Sequence, residues 1–289
     1  NEISTGASPH LQGHGKDGYV QVTETPAYAH SFLLTGLLSP DYVDVSGNGI
    51  TDDDMGNAVK FNYTKINGIS RWRTPLSAGM QANANMGHLT ETRDDKALIS
   101  YGERESWYLH SLESKTMIAL FTLENRQDAK GPVNETGGIN TQDHTAKRLK
   151  KIDLYSKADL KKNGIAAARP VKTVWFDYDY SLCAGVPGND GAALPGNENS
   201  GKLTLRSIYF TYNGQLQQRG QRNRYKFEYT ANKPYQAAAM DRWGNYKPAA
   251  MNPVHSGGVH LPNKDFPYAV QSASQQAAIQ ENASAWMLQ

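Results

Sequence analysis

The sequence predicts a mainly β protein, in which antiparallel hairpins form a curved sheet, a sandwich or a segment of a shell, with long loops and few short helices. Three observations support this class. Apolar and polar residues alternate strictly in several short segments. Turn-forming residues separate these segments in pairs, as in hairpins. The regular succession of strands and helices that a parallel sheet requires is absent.

The strand predictions follow in chain order. Residues 31–38 form a short apolar segment that turns at Pro40, and residues 71–75 form a short extended piece. Longer strands follow from alternation, or from apolar runs between turn residues, at 59–66, 106–114, 116–124, 149–156, 171–182, 202–212 and 224–229. The dipeptide Asn213-Gly214 is a turn signal, which makes residues 224–229 the return strand of a hairpin.

Residues 171–182 give the clearest pattern, because the two faces can be read directly. One face carries Val171, Thr173, Trp175, Asp177 and Asp179, and the other carries Lys172, Val174, Phe176, Tyr178 and Tyr180. A short helix is expected at 157–164, ended by Gly164. A second is expected at 268–284, and long loops at 76–97, 126–148 and 185–201.

The chain is expected to be one β-rich segment of a longer protein. A loop-rich lead-in spans 1–40, a sheet core spans 41–248, and residues 249–289 form a loop and a short helix leading into a following strand. The sequence begins without Met and ends on an apolar run that resembles the start of a strand. Both ends are therefore interpreted as cut, and the remainder of the same polypeptide is the expected partner.

Charge and composition exclude several classes of function. Thirty basic and 28 acidic residues give a net charge of +2, so neither nucleic acid nor an anionic membrane is an expected partner. No apolar run reaches the roughly 18 residues of a membrane span. Cys183 is the only cysteine, which rules out an intrachain disulfide. The basic cluster at 147–151 is interpreted as a solvated strand edge.

Residues 44–52 carry the sharpest local signal, a calcium-type loop. Its spacing brings the side-chain oxygens of positions 1, 3, 5 and 9 and the carbonyl of position 7 toward one hard cation, and Gly49 permits the sharp turn. The alternative is an Asx-rich turn without an ion. The predicted Ca²⁺ ligands are Asp44, Ser46, Asn48, the carbonyl of Ile50, and Asp52.

Residues 241–248 form the second distinctive stretch. Trp243 and Tyr246 are candidates for stacking on a sugar, with Arg242 at the rim. The alternative is a packed turn in which Gly244 supplies an unusual backbone angle and the tryptophan plugs a sheet edge. A sugar site would also require Trp72 to be exposed in line with these aromatic residues.

Two pairs of acidic residues lie on shared strand faces and were considered as a glycosidase pair. They are Glu103 with Glu105, and Asp177 with Asp179. Neighbouring lysine and arginine residues favour solvated or ion-paired side chains instead. The sequence contains no nucleophile elbow, no zinc-protease motif and no phosphate-binding glycine loop. The expectation is a protein without catalytic activity.

Several stretches together resemble very large secreted Bacteroidetes proteins of the Rhs/YD-repeat type, whose N-terminal halves are related to the SpvB-like region of insecticidal toxin-complex B components. The resemblance covers most of the chain from residue 40 onward, loops excepted, and canonical YD repeats are absent. The stretches that carry it are residues 44–52, 59–63, 106–117, 152–159, 182–187, 201–212, 225–229 and 241–246.

The resemblance implies a β-sheet scaffold that builds or docks onto a hollow shell outside the cell or on its outer surface, with any activity elsewhere in the long chain. The loop at 44–52 is similar to the calcium loops of FG-GAP-type propeller repeats. Three functions remain open at this point. They are a structural segment, a carbohydrate-binding or adhesive module that contacts surface glycans or secreted proteins, and a hydrolase with an unrecognised carboxylate site.

Overall fold

The protein is described by a computed structural model for residues 22–66, 68–74, 100–135, 138–140, 146–186, 188–189, 200–230 and 233–235. These ranges contain ten strands and two short helices, which confirms the mainly β class. The predicted loop at 76–97, most of the predicted loop at 185–201 and the predicted helix at 268–284 lie outside them.

Most strands follow the predicted segments, but residues 100–104 form a strand that was not predicted. The strands are β1 (Gly36–Leu38), β2 (Ala58–Lys65), β3 (Ser70–Thr74), β4 (Ser100–Arg104), β5 (Trp107–Glu113), β6 (Met117–Asn125), β7 (Lys147–Ser156), β8 (Lys172–Leu182), β9 (Lys202–Tyr212) and β10 (Tyr225–Lys226). The helices are α1 (Lys157–Asn163) and α2 (Gln217–Gln221).

Eight of these strands form one antiparallel sheet in the order β1-β2-β5-β6-β7-β8-β9-β10. Each strand therefore pairs with the next strand of the sheet in the chain, and the path is a simple meander. Strands β3 and β4 pair with each other in a separate two-stranded sheet inserted between β2 and β5. Because most contacts join neighbours in sequence, local turns determine most of this topology.

The turn between β5 and β6 shows how the sequence closes a hairpin. The backbone N–H of Ser114 donates to the carbonyl of Met117 at 2.9 Å, and the N–H of Met117 donates to the Ser114 hydroxyl at 3.1 Å. This serine satisfies both sides of the turn with its own polar groups. The structure confirms the hairpin predicted around Ser114 and Lys115.

Helix α1 also forms where it was predicted. Asp159 lies in its first turn and Lys161 and Lys162 in its last, an order that suits the helix dipole. Gly164 ends the helix with a φ of 71°, and its N–H donates to the carbonyl of Leu160. Neither described helix has the length and apolar character that crossing a membrane requires.

The return strand predicted at 224–229 is much shorter than expected. The turn at Asn213 and Gly214 is present, with φ values of 48° and 67°, but α2 follows it and β10 has only two residues. Helix α2 fills the connection and packs on β9, where Gln217 and Gln221 donate to the Tyr209 hydroxyl. Gly220 permits this approach, since a Cβ there would lie 2.4 Å from the carbonyl oxygen of Phe210.

The basic cluster at 147–151 lies at a strand edge in part. It begins β7, where its residues pair with β6, but only Lys151 also pairs with β8. Its charges are paired across the strands and along β7: Arg148 contacts Glu124 at 2.7 Å, and Lys151 contacts Asp153 at 2.7 Å. On the side of β8 the expected edge is therefore present at residues 147–150, with Arg148 in an ion pair.

The register divides the large sheet into two chemically different faces. One cross-strand row runs Asn62, Ser111, Leu120, Asp153, Thr173 and Thr211, and the face that carries it is called the polar face. On the opposite face lie Phe61, Leu112, Ala119, Phe121, Ile152, Leu154, Val174, Phe176, Ile208 and Phe210, and this is called the apolar face. The alternation predicted for residues 171–182 is thereby confirmed.

The polar face is the more deeply buried of the two. Ser111, Asp153 and Thr211 are 2%, 5% and 4% exposed. Asp153 accepts a hydrogen bond from the Thr173 hydroxyl at 2.7 Å. Both helices contact this side of the sheet: α2 reaches Tyr209, and Lys157 at the start of α1 contacts Glu113.

The apolar face has the opposite character. All ten of its side chains named above are only half-buried, and they extend across six strands. Lys172 lies on the same face, with its ammonium 4.1 Å from the centre of the Phe210 ring. Among the described residues, the sheet formed by β3 and β4 makes no extensive contact with the large sheet. Among the described helices and strands, the strands of the large sheet make their extensive contacts with one another and with α1 and α2.

Candidate functional site

The loop at 44–54 is the most organised polar feature of the described chain. It lies between β1 and β2 and is closed at its base by an antiparallel bridge between Val43 and Met55. The carboxylate of Asp44 accepts backbone N–H groups from Gly47 at 2.7 Å and Gly49 at 2.9 Å. Both glycines have positive φ values, so the backbone curls around this carboxylate as an Asx turn does.

Asp54 is the central acceptor of the loop, although the calcium pattern did not include it. It is 6% exposed, and it accepts the N–H groups of Thr51 at 2.8 Å and Val45 at 3.2 Å. The Tyr42 hydroxyl donates a third bond at 2.8 Å. The sequence offers no signal that separates this residue from the neighbouring acids, because its role depends on a turn that brings its donors together.

These contacts shift two pKa values in opposite directions. The backbone N–H of Thr51 stabilises the charged carboxylate and lowers the pKa of Asp54, against the effect of burial. Burial, and then the hydrogen bond to Asp54 with its negative charge, raise the pKa of Tyr42 to about 12. Tyr42 therefore donates its proton to an ionised Asp54 throughout the physiological range.

Three lysines surround the loop in an open cleft of about 260 Å³. The Lys60 ammonium donates to the carbonyl of Ile50 at 3.2 Å, and the Lys115 ammonium donates to the carbonyl of Asp54 at 3.2 Å. Lys157 contacts the carboxylates of Asp52 at 2.8 Å and Glu113 at 3.2 Å. Burial alone would lower the pKa of Lys157, but these two carboxylates outweigh it and raise that pKa.

The predicted calcium ligands have these environments. Asp44 faces the loop amides, Asn48 accepts from the Thr51 hydroxyl at 3.2 Å, and Ser46 is exposed. The carbonyl of Ile50 and the carboxylate of Asp52 each contact a lysine ammonium. In the described ranges no three or more His, Cys, Asp or Glu side chains cluster as a metal site. A cation at these five oxygens would have to displace both ammonium groups, and calcium binding stays a prediction.

The predicted sugar-binding residues Arg242, Trp243 and Tyr246 lie outside the described residues, as does Gly244. Trp72, the fourth aromatic candidate, lies on β3 and is 43% exposed. One face of its indole is packed against the paired strand, because a Cβ on Gly102 would lie 2.7 Å from the ring. Part of the ring remains open to solvent, and the predicted alignment with Trp243 and Tyr246 is not tested.

The acidic pairs considered for hydrolysis have basic or hydroxyl partners. Glu103 contacts Arg71 at 3.0 Å and Glu105 contacts Lys65 at 2.5 Å. These partners lower the pKa of both glutamates. Asp179 contacts Arg206 at 2.5 Å, and Asp177 accepts from Ser207 at 2.7 Å. Glu103, Asp177 and Asp179 therefore lie on strands with basic or hydroxyl partners, whereas Glu105 lies between β4 and β5 and shares no strand face with Glu103.

Cys183 sits at the end of β8 with a φ of 56°. Burial raises the pKa of its thiol, which keeps the sulfur protonated and weakly nucleophilic. This environment suits a small apolar residue rather than a nucleophile.

No protein-family model, no curated protein and no solved structure matches this chain.

Proposed function

We propose that this chain is a non-catalytic structural segment of a giant exported bacterial protein of the Rhs type, located outside the cell or on its outer surface. In this proposal its large sheet forms one layer of a shell or surface assembly. The remainder of the same polypeptide is the partner that covers the sheet. The sequence resemblance to secreted Bacteroidetes proteins is the source of the proposed class.

The apolar face is the observation that carries the proposal. A row of cross-strand partners, Phe121, Ile152, Val174 and Phe210, crosses four strands without a polar interruption. Every one of these side chains is only half-buried. Apolar surface that stays partly accessible over several strands is typical of an interaction surface. A second layer of the parent assembly would bury this face.

The polar face supports the same orientation. Its hydrogen bonds join neighbouring strands directly: Trp175 donates its indole N–H to Thr211 at 3.0 Å, and Ser207 donates to Asp177 at 2.7 Å. Asn62 donates to Ser111 at 3.0 Å. Because these polar groups satisfy one another, this face requires no further layer. In this proposal only the apolar face therefore requires a partner to bury its side chains.

The mass of the native polypeptide that carries this sequence tests the proposal. Denaturing gel electrophoresis of the source organism, with peptide mass spectrometry of the band, is expected to show a chain far larger than 289 residues. Peptides from beyond residue 289 are expected in the same band. A native chain of this length alone would overturn the proposal and direct attention to glycan binding and hydrolysis by the chain itself.

A further inference from the structure

Strand β1 leaves one edge of the large sheet free within the described residues. In an antiparallel pair, successive residues turn their backbone groups alternately toward and away from the neighbouring strand. The backbone N–H of Phe61 donates to the carbonyl of Thr35 at 3.0 Å. The backbone N–H of Ser39 donates to the carbonyl of Asn57 at 2.9 Å. Residues 35, 37 and 39 thus face β2, and the amides and carbonyls of Gly36 and Leu38 point to the free edge.

The side chains of this edge are apolar and exposed. Residues 31–39 contain no charged residue and no proline. Phe32, Leu37 and Leu38 are 89%, 61% and 51% exposed. Natural proteins protect free edges with charges, proline, bulges or very short strands. Apart from its short hydrogen-bonded length, β1 carries none of these protections.

The other edge of the same sheet is protected. Strand β10, with two residues, is nearly as short as β1, with three, so the difference between the edges lies in charge. Arg222, Arg224 and Lys226 lie in or beside it and are exposed. Antiparallel pairing of this strand with a copy of itself would bring like charges together, which is destabilising. The contrast between the two edges makes β1 the edge suited to another strand.

The backbone of β1 is already ordered for pairing. The Ser39 hydroxyl donates to the carbonyl of Asn57 at 2.7 Å and accepts the N–H of Asn57 at 3.0 Å. At the other end, the Tyr63 hydroxyl donates to the carbonyl of Leu34 at 3.0 Å. These contacts hold β1 extended at both ends. Pairing with another strand would therefore cost β1 little conformational entropy.

We propose that two copies of this chain associate through their β1 strands, which pair antiparallel about a twofold axis at Leu37, so that Gly36 of each copy lies opposite Leu38 of the other. An uncharged strand is self-complementary in this arrangement, because no like charges meet. The outward amides and carbonyls of Gly36 and Leu38 form the new hydrogen bonds, and the two eight-stranded sheets become one. This association does not depend on the length or location of the parent polypeptide.

Sedimentation velocity of the purified chain, over a wide range of protein concentration, tests the proposal. The unaltered chain is expected to sediment as a dimer. Leu38→Pro removes an amide that points away from β2, and Leu38→Lys places a charge at the edge while keeping that amide. Each variant is expected to raise the dimer dissociation constant about tenfold or more, with an unchanged circular dichroism spectrum.

Two matched variants identify the surface. Leu37→Pro removes an amide that faces β2, so it is expected to lower the melting temperature, which Leu38→Pro leaves nearly unchanged. Ala119→Lys alters the apolar face and is expected to leave the dimer intact. A chain that is monomeric at every concentration would overturn the proposal. So would a dimer that Ala119→Lys abolishes while both Leu38 variants retain it.

Discussion

At the scale of single residues, Asp54 determines the shape of the loop at 44–54. It accepts three hydrogen bonds in a nearly buried position, and replacing the carboxylate weakens all of them. Asp54→Asn is expected to lower the melting temperature by several degrees. Asp53→Asn is the matched control, because Asp53 is exposed, and it is expected to have a much smaller effect. Equal effects of the two substitutions would contradict this role.

The same carboxylate predicts a dependence of stability on pH. The pKa of Asp54 is lower in the folded protein than the ordinary value, which is about 3.9. Its contribution to stability is therefore present above that ordinary value and is lost as pH falls through the folded pKa. The difference in melting temperature between the unaltered chain and Asp54→Asn is expected to be constant from neutral to mildly acidic pH and to shrink below about pH 4. A difference in melting temperature that stays constant at all pH values would contradict this dependence on Asp54.

Calcium gives a third prediction at this scale. If the oxygens of residues 44–52 bind calcium with an affinity typical of extracellular modules, millimolar calcium stabilises the fold by about 1 kcal/mol. Asp44→Asn should remove this gain. Lys157→Met should increase it, because Asp52 loses its competing ammonium. Chemical denaturation with calcium and with chelator measures both effects, and equal stability under the two conditions would exclude the site.

At the scale of elements, the hairpin of β8 and β9 depends on a close approach at Gly201. A Cβ there would lie 1.9 Å from the carbonyl oxygen of Leu182. Gly201→Ala is therefore expected to cost about 3 kcal/mol or more. Gly214→Ala is the control, since Gly214 has a φ of 67° and open space around it, and the backbone strain alone costs about 1 kcal/mol. Urea denaturation compares the two, and a smaller cost for Gly201→Ala would contradict this reading of the hairpin.

The elements also show how far sequence patterns reach. Strict alternation predicted β2, β8 and β9 within one or two residues, because a strand with two different faces has a period of two. The same pattern overestimated β10, which pairs with β9 over only two residues. Helix α2, which precedes β10, was not predicted, and its packing on Tyr209 is a tertiary contact that no local propensity announces. Tertiary packing overrides local signals in this way.

The candidate site was predictable only in part for a related reason. The glycines and Asp44 of the loop follow a recognisable spacing, and the turn forms where it was expected. The lysines that contact it come from distant positions, since Lys157 lies 105 residues beyond Asp52. A spacing rule within one loop contains no information about charges that the sheet brings to it from other strands.

At the scale of the whole molecule, the two faces of the large sheet explain why the chain is proposed as a component. The polar face satisfies its own hydrogen bonds, whereas the apolar face presents half-buried aromatic and aliphatic side chains over several strands. Burial of apolar area contributes roughly 25 cal/mol per Å². A layer placed on this face would therefore add considerably to the stability of the assembly.

The exposure of the apolar face in the isolated chain and in the native polypeptide tests this proposal most directly. With Cys183→Ala to remove the native thiol, Ala119→Cys reports on the apolar face, and Ser111→Cys, at a position 2% exposed, is the buried control. The thiol at position 119 is expected to react rapidly in the isolated chain and slowly in the full-length polypeptide, while the thiol at 111 reacts slowly in both. Rapid reaction at position 119 in the full-length polypeptide, or protection in the isolated chain, would contradict the proposal that a second layer of the parent assembly covers this sheet.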